Sequence, residues 1–184
     1  LLKETEQRAA ELAVINTIQQ GIAGSLDFQG IVEVVGDKLC EVLGSRSVKI
    51  RWIDEATGLV HYLYEISDGV RIFPPPKPQL PGGIYQTMAR TRAPVVFRDA
   101  RDWEAINAPT LPGATPSRSA AYVPIILADR LCGTLGCSDH ERENAFGEAE
   151  VRLLTTIAGA MATALDNARL FEETQRLLKE TEQR

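Results

Sequence analysis

With 184 residues, 44% hydrophobic and 24% charged, the chain has the size and balance of one ordinary globular domain with its own core. A formal net charge of −5 without any basic stripe argues against a nucleic-acid partner. No apolar run approaches the ~20 residues of a membrane span, and three unevenly spaced Cys make neither a disulfide framework nor a zinc site, so a cytoplasmic, reducing setting is expected.

Residues 1–23 predict a helix, with Leu12, Ile15, Ile18 and Ile22 at helical spacing. Ser25-Leu26-Asp27 breaks it, and Asp27 or Ser25 can cap the next helix. That helix carries Ile31, Val34, Val35, Leu39, Val42 and Leu43 and stops near Gly44. The pattern then changes to period two: Val48, Ile50 and Trp52 alternate with Lys49, Arg51 and Ile53 before a turn over residues 54–58. A second strand runs from Leu59 to Ile66, and Asp68-Gly69 is a hairpin signal leading to a short third strand, Val70 to Phe73. Pro74-Pro75-Pro76-Lys77-Pro78 lacks the donors of a ladder and reads as an extended loop. Ile84 to Thr91 predicts a short helix and Pro94 to Phe97 an edge strand. Residues 99–118 hold three Pro and read as an irregular loop with one helical turn around Trp103. Ala120 to Leu127 and Leu131 to Ser138 form a hairpin around Ala128-Asp129-Arg130.

From Phe146 to Arg184 one long amphipathic helix is expected, since Leu153, Leu154, Ile157, Met161 and Leu165 recur every three or four residues. It would span about 55 Å, more than the domain's own core requires, and so leave the globule. Beyond Asn167 its apolar positions thin to Leu170-Phe171 and then Leu177-Leu178, seven apart, a spacing suited to a helical partner. The tail Leu177-Leu178-Lys179-Glu180-Thr181-Glu182-Gln183-Arg184 repeats Leu1-Leu2-Lys3-Glu4-Thr5-Glu6-Gln7-Arg8 residue for residue. The chain thus reads as one unit of a tandem array. Hairpin-linked strands with helices gathered at both ends predict an α+β fold: an antiparallel sheet, the N- and C-terminal helices packed on one face, loops and short helices over the other. The expected division is a linker and dimerisation helix over residues 1–23, a core over 24–166 and an outgoing signalling helix over 167–184.

Three stretches resemble the GAF family. They are Asp54-Glu55-Ala56-Thr57-Gly58-Leu59, then Val123-Pro124-Ile125 with Leu131-Cys132-Gly133-Thr134-Leu135, and then Phe146-Gly147-Glu148-Ala149-Glu150 leading into Leu165-Asp166-Asn167-Ala168-Arg169-Leu170. The resemblance runs from about Thr17 to Glu173 and, with the Glu-Thr-Gln-Arg-Leu-Leu-Lys tail, extends to multi-GAF bacterial signalling proteins. It implies a sensor with a ligand pocket on the sheet face away from the terminal helices. It also implies neighbouring GAF domains and a distant output domain such as a histidine kinase or nucleotide cyclase.

The specialised GAF chemistries find no match. The cyclic-nucleotide signature Asn-Lys…Phe-x-x-x-Asp-Glu is broken, with Ala145 after Asn144 and Phe146 only two residues on. A bilin would need a Cys beside a His, and none of Cys40, Cys132 and Cys137 has one. A sulfoxide-reducing thiol should be exposed and acidic, whereas Cys40 falls in a helix, and Cys132 and Cys137 fall on one strand at opposite parity. His61 and His140 are the only histidines, and a lone strand His is a weak case for haem or metal. No motif names a cofactor, so the cofactor is left unknown.

Strand parity selects the candidate ligand residues. If Val48, Ile50 and Trp52 face the helices, Arg51 faces the ligand side; on the second strand Val60, Tyr62, Tyr64 and Ile66 form the apolar set, leaving His61 and Glu65 with Arg51. Arg51 offers a planar fork for a carboxylate or phosphate, and Arg118 at the end of the long loop adds charge. The competing expectation is that Arg51 pairs with Glu65 and the pocket is filled. The function expected is therefore non-catalytic: binding of a small ligand or partner, homodimerisation through the terminal helices, and relay along the last helix. The alternatives are a ligand-free dimerising spacer or a small redox enzyme built on the cysteines.

Overall fold

A computed structural model describes residues 2–24 and 27–184; Ser25 and Leu26, expected to break the first helix, lie outside them. Helix α1 spans Leu2–Gly24 and α2 spans Phe28–Leu43. The Asp27 carboxylate accepts the Gly30 N–H at the start of α2, and Gly44 ends it in the left-handed region at φ 58°. The strands β1 (Val48–Ile53), β2 (Leu59–Ser67), β3 (Val70–Arg71) and β4 (Lys77–Pro78) follow, then α3 (Ile84–Thr91), β5 (Val95–Phe97) and α4 (Ala100–Glu104). A hairpin of β6 (Ser119–Leu127) and β7 (Arg130–Asp139) leads to α5 (Glu148–Glu182).

The strands make one antiparallel sheet in the order β3-β2-β1-β7-β6-β5, with β4 also on β2. The Pro-rich stretch departs from expectation here. Lys77 and Pro78 pair with Val60 and Leu59, a place at the sheet edge that proline tolerates although it has no N–H to donate. The third strand is also shorter than expected, ending at Arg71.

Helices α1, α2 and α5 cover one face of the sheet. Ile31, Val35 and Leu39 of α2, Val48 and Ile50 of β1, and Leu154, Ile157 and Met161 of α5 belong to one buried cluster there. Across the sheet a smaller cluster of Ile84, Met88, Phe97 and Tyr122 anchors α3 and β5.

Two irregularities interrupt the alternation of side chains. The β1–β2 register slips between Ile50 and Arg51, leaving Leu63 unpaired between Tyr64 and Tyr62. The β6–β7 register slips between Ile125 and Ile126, leaving Cys132 unpaired. Each bulge reverses the faces of the residues beyond it.

Helix α5 is 35 residues long, about 52 Å at 1.5 Å per residue. Its last buried residue is Ala168, and Leu170, Phe171, Leu177 and Leu178 beyond it are roughly half exposed. Arg152 donates to Glu11 at 2.9 Å, and the Phe28 N–H reaches Glu172 at 3.5 Å. Glu11 of α1 thus sits beside the first turns of α5, and Phe28, which opens α2 just after α1 ends, sits beside its later turns, so α1 and α5 run in the same direction. Among the described residues no helix is long and apolar enough to cross a membrane.

Candidate ligand-binding site

The face of β1 opposite the helices presents Lys49 and Arg51. Glu65 is the partner of Lys49 across the β1–β2 ladder, and Tyr62 is the partner of Arg51. With Tyr122 of β6 these side chains floor a cavity of about 670 Å³. Its walls and roof come from the segment between β4 and α3, from α3 and α4, and from the loop that follows α4, through apolar groups that include Leu80, Ile84, Trp103, Leu111 and Pro116. The Trp103 ring stacks on Phe97 at 4.6 Å between centroids, which fixes α4 against the sheet. The roof is tied down at both ends: the Asn107 amide donates to the Pro81 carbonyl at 3.3 Å, and the Thr115 N–H donates to the Ser67 hydroxyl at 2.9 Å.

Arg51 and Glu65 form a buried fork-to-carboxylate pair, Nε to Oε1 at 2.5 Å and Nη2 to Oε2 at 3.3 Å, with 8% and 1% of their surfaces exposed. Nη1 of Arg51 donates to the Tyr85 hydroxyl at 3.3 Å. The guanidinium also lies 5.1 Å from the Tyr62 ring centroid and 5.8 Å from that of Tyr122. Burial works to discharge Arg51, but the Glu65 carboxylate together with the Tyr85 and Tyr122 hydroxyls outweighs it, and the guanidinium is held charged well above its ordinary range. Burial likewise pushes the Tyr85 hydroxyl up to about 12, against the pull of Arg51, so it stays a neutral hydrogen-bonding group. Lys49 sits differently. Its Nζ donates to the Tyr122 hydroxyl at 3.2 Å and to the Ser138 hydroxyl at 3.1 Å, and among the described residues no carboxylate comes within ion-pair distance of it.

A family model described as a GAF domain matches residues 25–166. The chain belongs to the GAF family. Among solved structures, the GAF domain of a phosphoenolpyruvate-protein phosphotransferase from Coxiella burnetii superposes with a TM-score of 0.73 at 18% identity, covering 90% of this chain and 98% of that one. Residues 122 to 287 of a methyl-accepting chemotaxis protein give 0.72 at 18% identity, covering 84% and 98%. A free methionine-R-sulfoxide reductase from Neisseria meningitidis, solved with its substrate, gives 0.65 at 18% identity, covering 87% and 90%. At these identities the likeness concerns the fold alone. No curated protein matches the sequence.

Of the residues that parity selects, this GAF domain brings Arg51 and Glu65 together in the cavity. His61 is elsewhere. The Leu63 bulge puts it opposite Trp52, whose ring meets Phe28 of α2 edge-on, so His61 lies on the helix side, 3.9 Å from Asp54. It lines a separate depression together with Cys132 and Arg169. The same bulge brings Tyr62, expected on the helix side, into the cavity. Arg118 is exposed and does not line the cavity; its N–H is used on the Asp139 carbonyl at 2.7 Å. Lys49, Tyr62, Tyr85 and Tyr122 are the cavity groups that motif reading passes over. Only Lys49 carried a signal, its shared parity with Arg51.

The three thiols stand apart from the cavity. Cys132 and Cys137 do not take opposite faces as alternation predicts, because the bulge at Cys132 turns it towards Asp166 and Arg169 of α5, while Cys137 is buried in the helix-side core. Burial pushes all three thiols up, that of Cys137 to about 12, the reverse of an activated nucleophile. Among the described residues no group of three or more His, Cys, Asp or Glu could hold a metal ion.

Proposed function

We propose that this GAF domain is a non-catalytic sensory module that binds a small ligand in the cavity and passes the change along α5 to an output domain. The observation that carries the reading is the cavity of about 670 Å³, mostly apolar in its walls with a few charged and polar groups converging on it, the usual make-up of a small-molecule site. Strand β1 links that floor to the helices. Lys49 and Arg51 project into the cavity from one face of it, while Val48 and Ile50 pack in the helix-side cluster on the other. Displacement of the floor therefore reaches α2 and α5 through the thickness of one strand. A ligand biases two arrangements only by binding them unequally, and a small shear of α5 against the sheet is the motion this layering allows.

The in-line path of α1 and α5 supports a module set within a rod, and the repeated octapeptide supports serial units with continuous helical connections. The apolar pairs Leu170-Phe171 and Leu177-Leu178 support homodimerisation through the outgoing helix. A methyl-accepting chemotaxis protein is among the proteins that share this fold, which agrees with a sensing role.

Native mass spectrometry of the purified chain, followed by the same sample denatured, tests the reading. A retained small molecule that is released on denaturation is the expected result. A chain that carries none, and whose melting temperature no small molecule in a metabolite library raises, would instead be a dimerising spacer.

A further inference from the structure

We propose that the ligand of this cavity is a small amphipathic monoanion, a carboxylate on an aromatic or aliphatic body, with the carboxylate at Lys49 and the body under Trp103 and Leu111. The assignment rests on the sensory reading above and gives that site its ligand class.

Charge balance comes first. The floor holds two cations, Lys49 and Arg51, and one carboxylate, Glu65, which Arg51 engages through two donors; elsewhere in the lining Lys77 and Glu104 add one charge of each sign and leave the net balance unchanged. One positive charge is left at the floor, and it belongs to Lys49, whose hydrogen-bond partners among the described residues are the hydroxyls of Tyr122 and Ser138. An ammonium has three donors, so one remains for a ligand. A half-buried cation held by neutral hydroxyls is best completed by a single negative charge.

The same inventory excludes the other charge classes. Aromatic rings beside a carboxylate can receive a cation, but the Tyr62 and Tyr122 rings already face Arg51, and Lys49 stands 5.6 Å from the Tyr122 centroid. A second cation would meet two resident ones. A phosphate monoester dianion brings one charge more than the floor can neutralise, and the planar fork that would grip it is taken by Glu65. A neutral ligand leaves Lys49 uncompensated. Away from the floor most of the lining is apolar, with Ile84, Leu80, Leu111 and Pro109 among it and Lys77 and Glu104 the charged exceptions, which suits a hydrocarbon or aromatic body rather than a polyol.

Isothermal titration calorimetry of the parent chain with phenylacetate and decanoate, and with phenylacetamide, phenethylamine and phenyl phosphate, decides the class. The acids are expected to bind, and phenylacetamide to bind about ten- to hundredfold more weakly than phenylacetate, the worth of a charge-assisted hydrogen bond. Lys49→Met should lower phenylacetate affinity by a similar factor, and Lys49→Arg should keep most of it. The acid-to-amide comparison uses only the parent chain and holds whether or not Lys49→Met folds. Equal binding of acid and amide overturns the assignment, as does tighter binding of the amine or the phosphate, or binding of none of the five. A neutral or cationic molecule retained in native mass spectrometry would sink the anionic class while upholding the sensor.

Discussion

The ring of Tyr122 lies flat against Gly136, its partner across the β6–β7 ladder, so closely that a Cβ on Gly136 would stand 2.5 Å from Cδ1 and 2.8 Å from Cε1. No real Cβ tolerates that approach, and the backbone carbonyl of Ala121 at 3.1 Å closes the other escape. The glycine therefore sets the position of the Tyr122 hydroxyl, which accepts from Lys49. Gly136→Ala should force the ring up into the cavity, destabilising the domain by about 1–3 kcal/mol as overpacking does and weakening phenylacetate binding as well. Urea unfolding followed by titration separates the two effects. A variant with the parent's midpoint and affinity would mean the ring has another place to go.

Arg51 and Glu65 make the sharpest stability prediction. Removing one member of a buried ion pair strands the other charge, and Glu65→Leu or Arg51→Met alone should cost about 3–5 kcal/mol. Replacing both, as Arg51→Met with Glu65→Leu, strands nothing and should recover most of that loss. Chemical denaturation of the two single variants and the double one forms a cycle. Additive losses would show that the pair is not coupled, against its two-pronged geometry.

Most of the fold was legible because its elements follow simple periods. The helix over Ile84–Thr91, the capping role of Asp27 and the α5 run all stand where hydrophobic spacing and cap chemistry predict them. The site was harder to read, and the reason is local. Parity from Lys49 to Arg51 on β1 holds, but a single extra residue, Leu63, inverts the lower half of β2, exchanging His61 for Tyr62 in the cavity. Cys132 does the same on β7. No Gly or Pro marks the Leu63 bulge, so the sequence carries no sign of it, whereas Gly133 beside Cys132 is the one hint of the second. The roof residues Trp103 and Leu111 come from a loop whose path depends on tertiary ties such as Thr115 to Ser67, beyond the reach of any periodicity.

The thiols give a pH dependence with a definite sign. Burial raises the Cys137 thiol from an ordinary 9.0 to about 12 in the folded chain. Between those values the unfolded chain gives up its proton and the folded one keeps it, so the unfolded state is favoured. This contribution to stability is fully present below pH 9.0 and is lost as pH rises towards about 12. Thermal melts across that range should fall less steeply for Cys137→Ala than for the parent, whatever its starting stability. At neutral pH, Cys40 and Cys132 should react slowly with a thiol reagent, and Cys137 only on unfolding. Rapid labelling of one cysteine in the folded chain would reopen the redox reading.

The outgoing helix separates association from folding. Leu170 and Leu177 lie beyond the last buried residue of α5 and are about half exposed, so Leu170→Glu with Leu177→Glu should leave the stability of the isolated fold almost unchanged, within about 0.5 kcal/mol. The same change places two charges in a seam whose apolar residues recur at seven-residue spacing, and a paired helix does not tolerate like charges facing one another. Sedimentation equilibrium should therefore find the parent dimeric and the variant monomeric. If the variant also loses stability, the helix is part of the fold rather than a handle for a second copy. If both remain dimeric, the partner surface lies on α1, where Leu2 and Leu12 are the exposed apolar residues to change next.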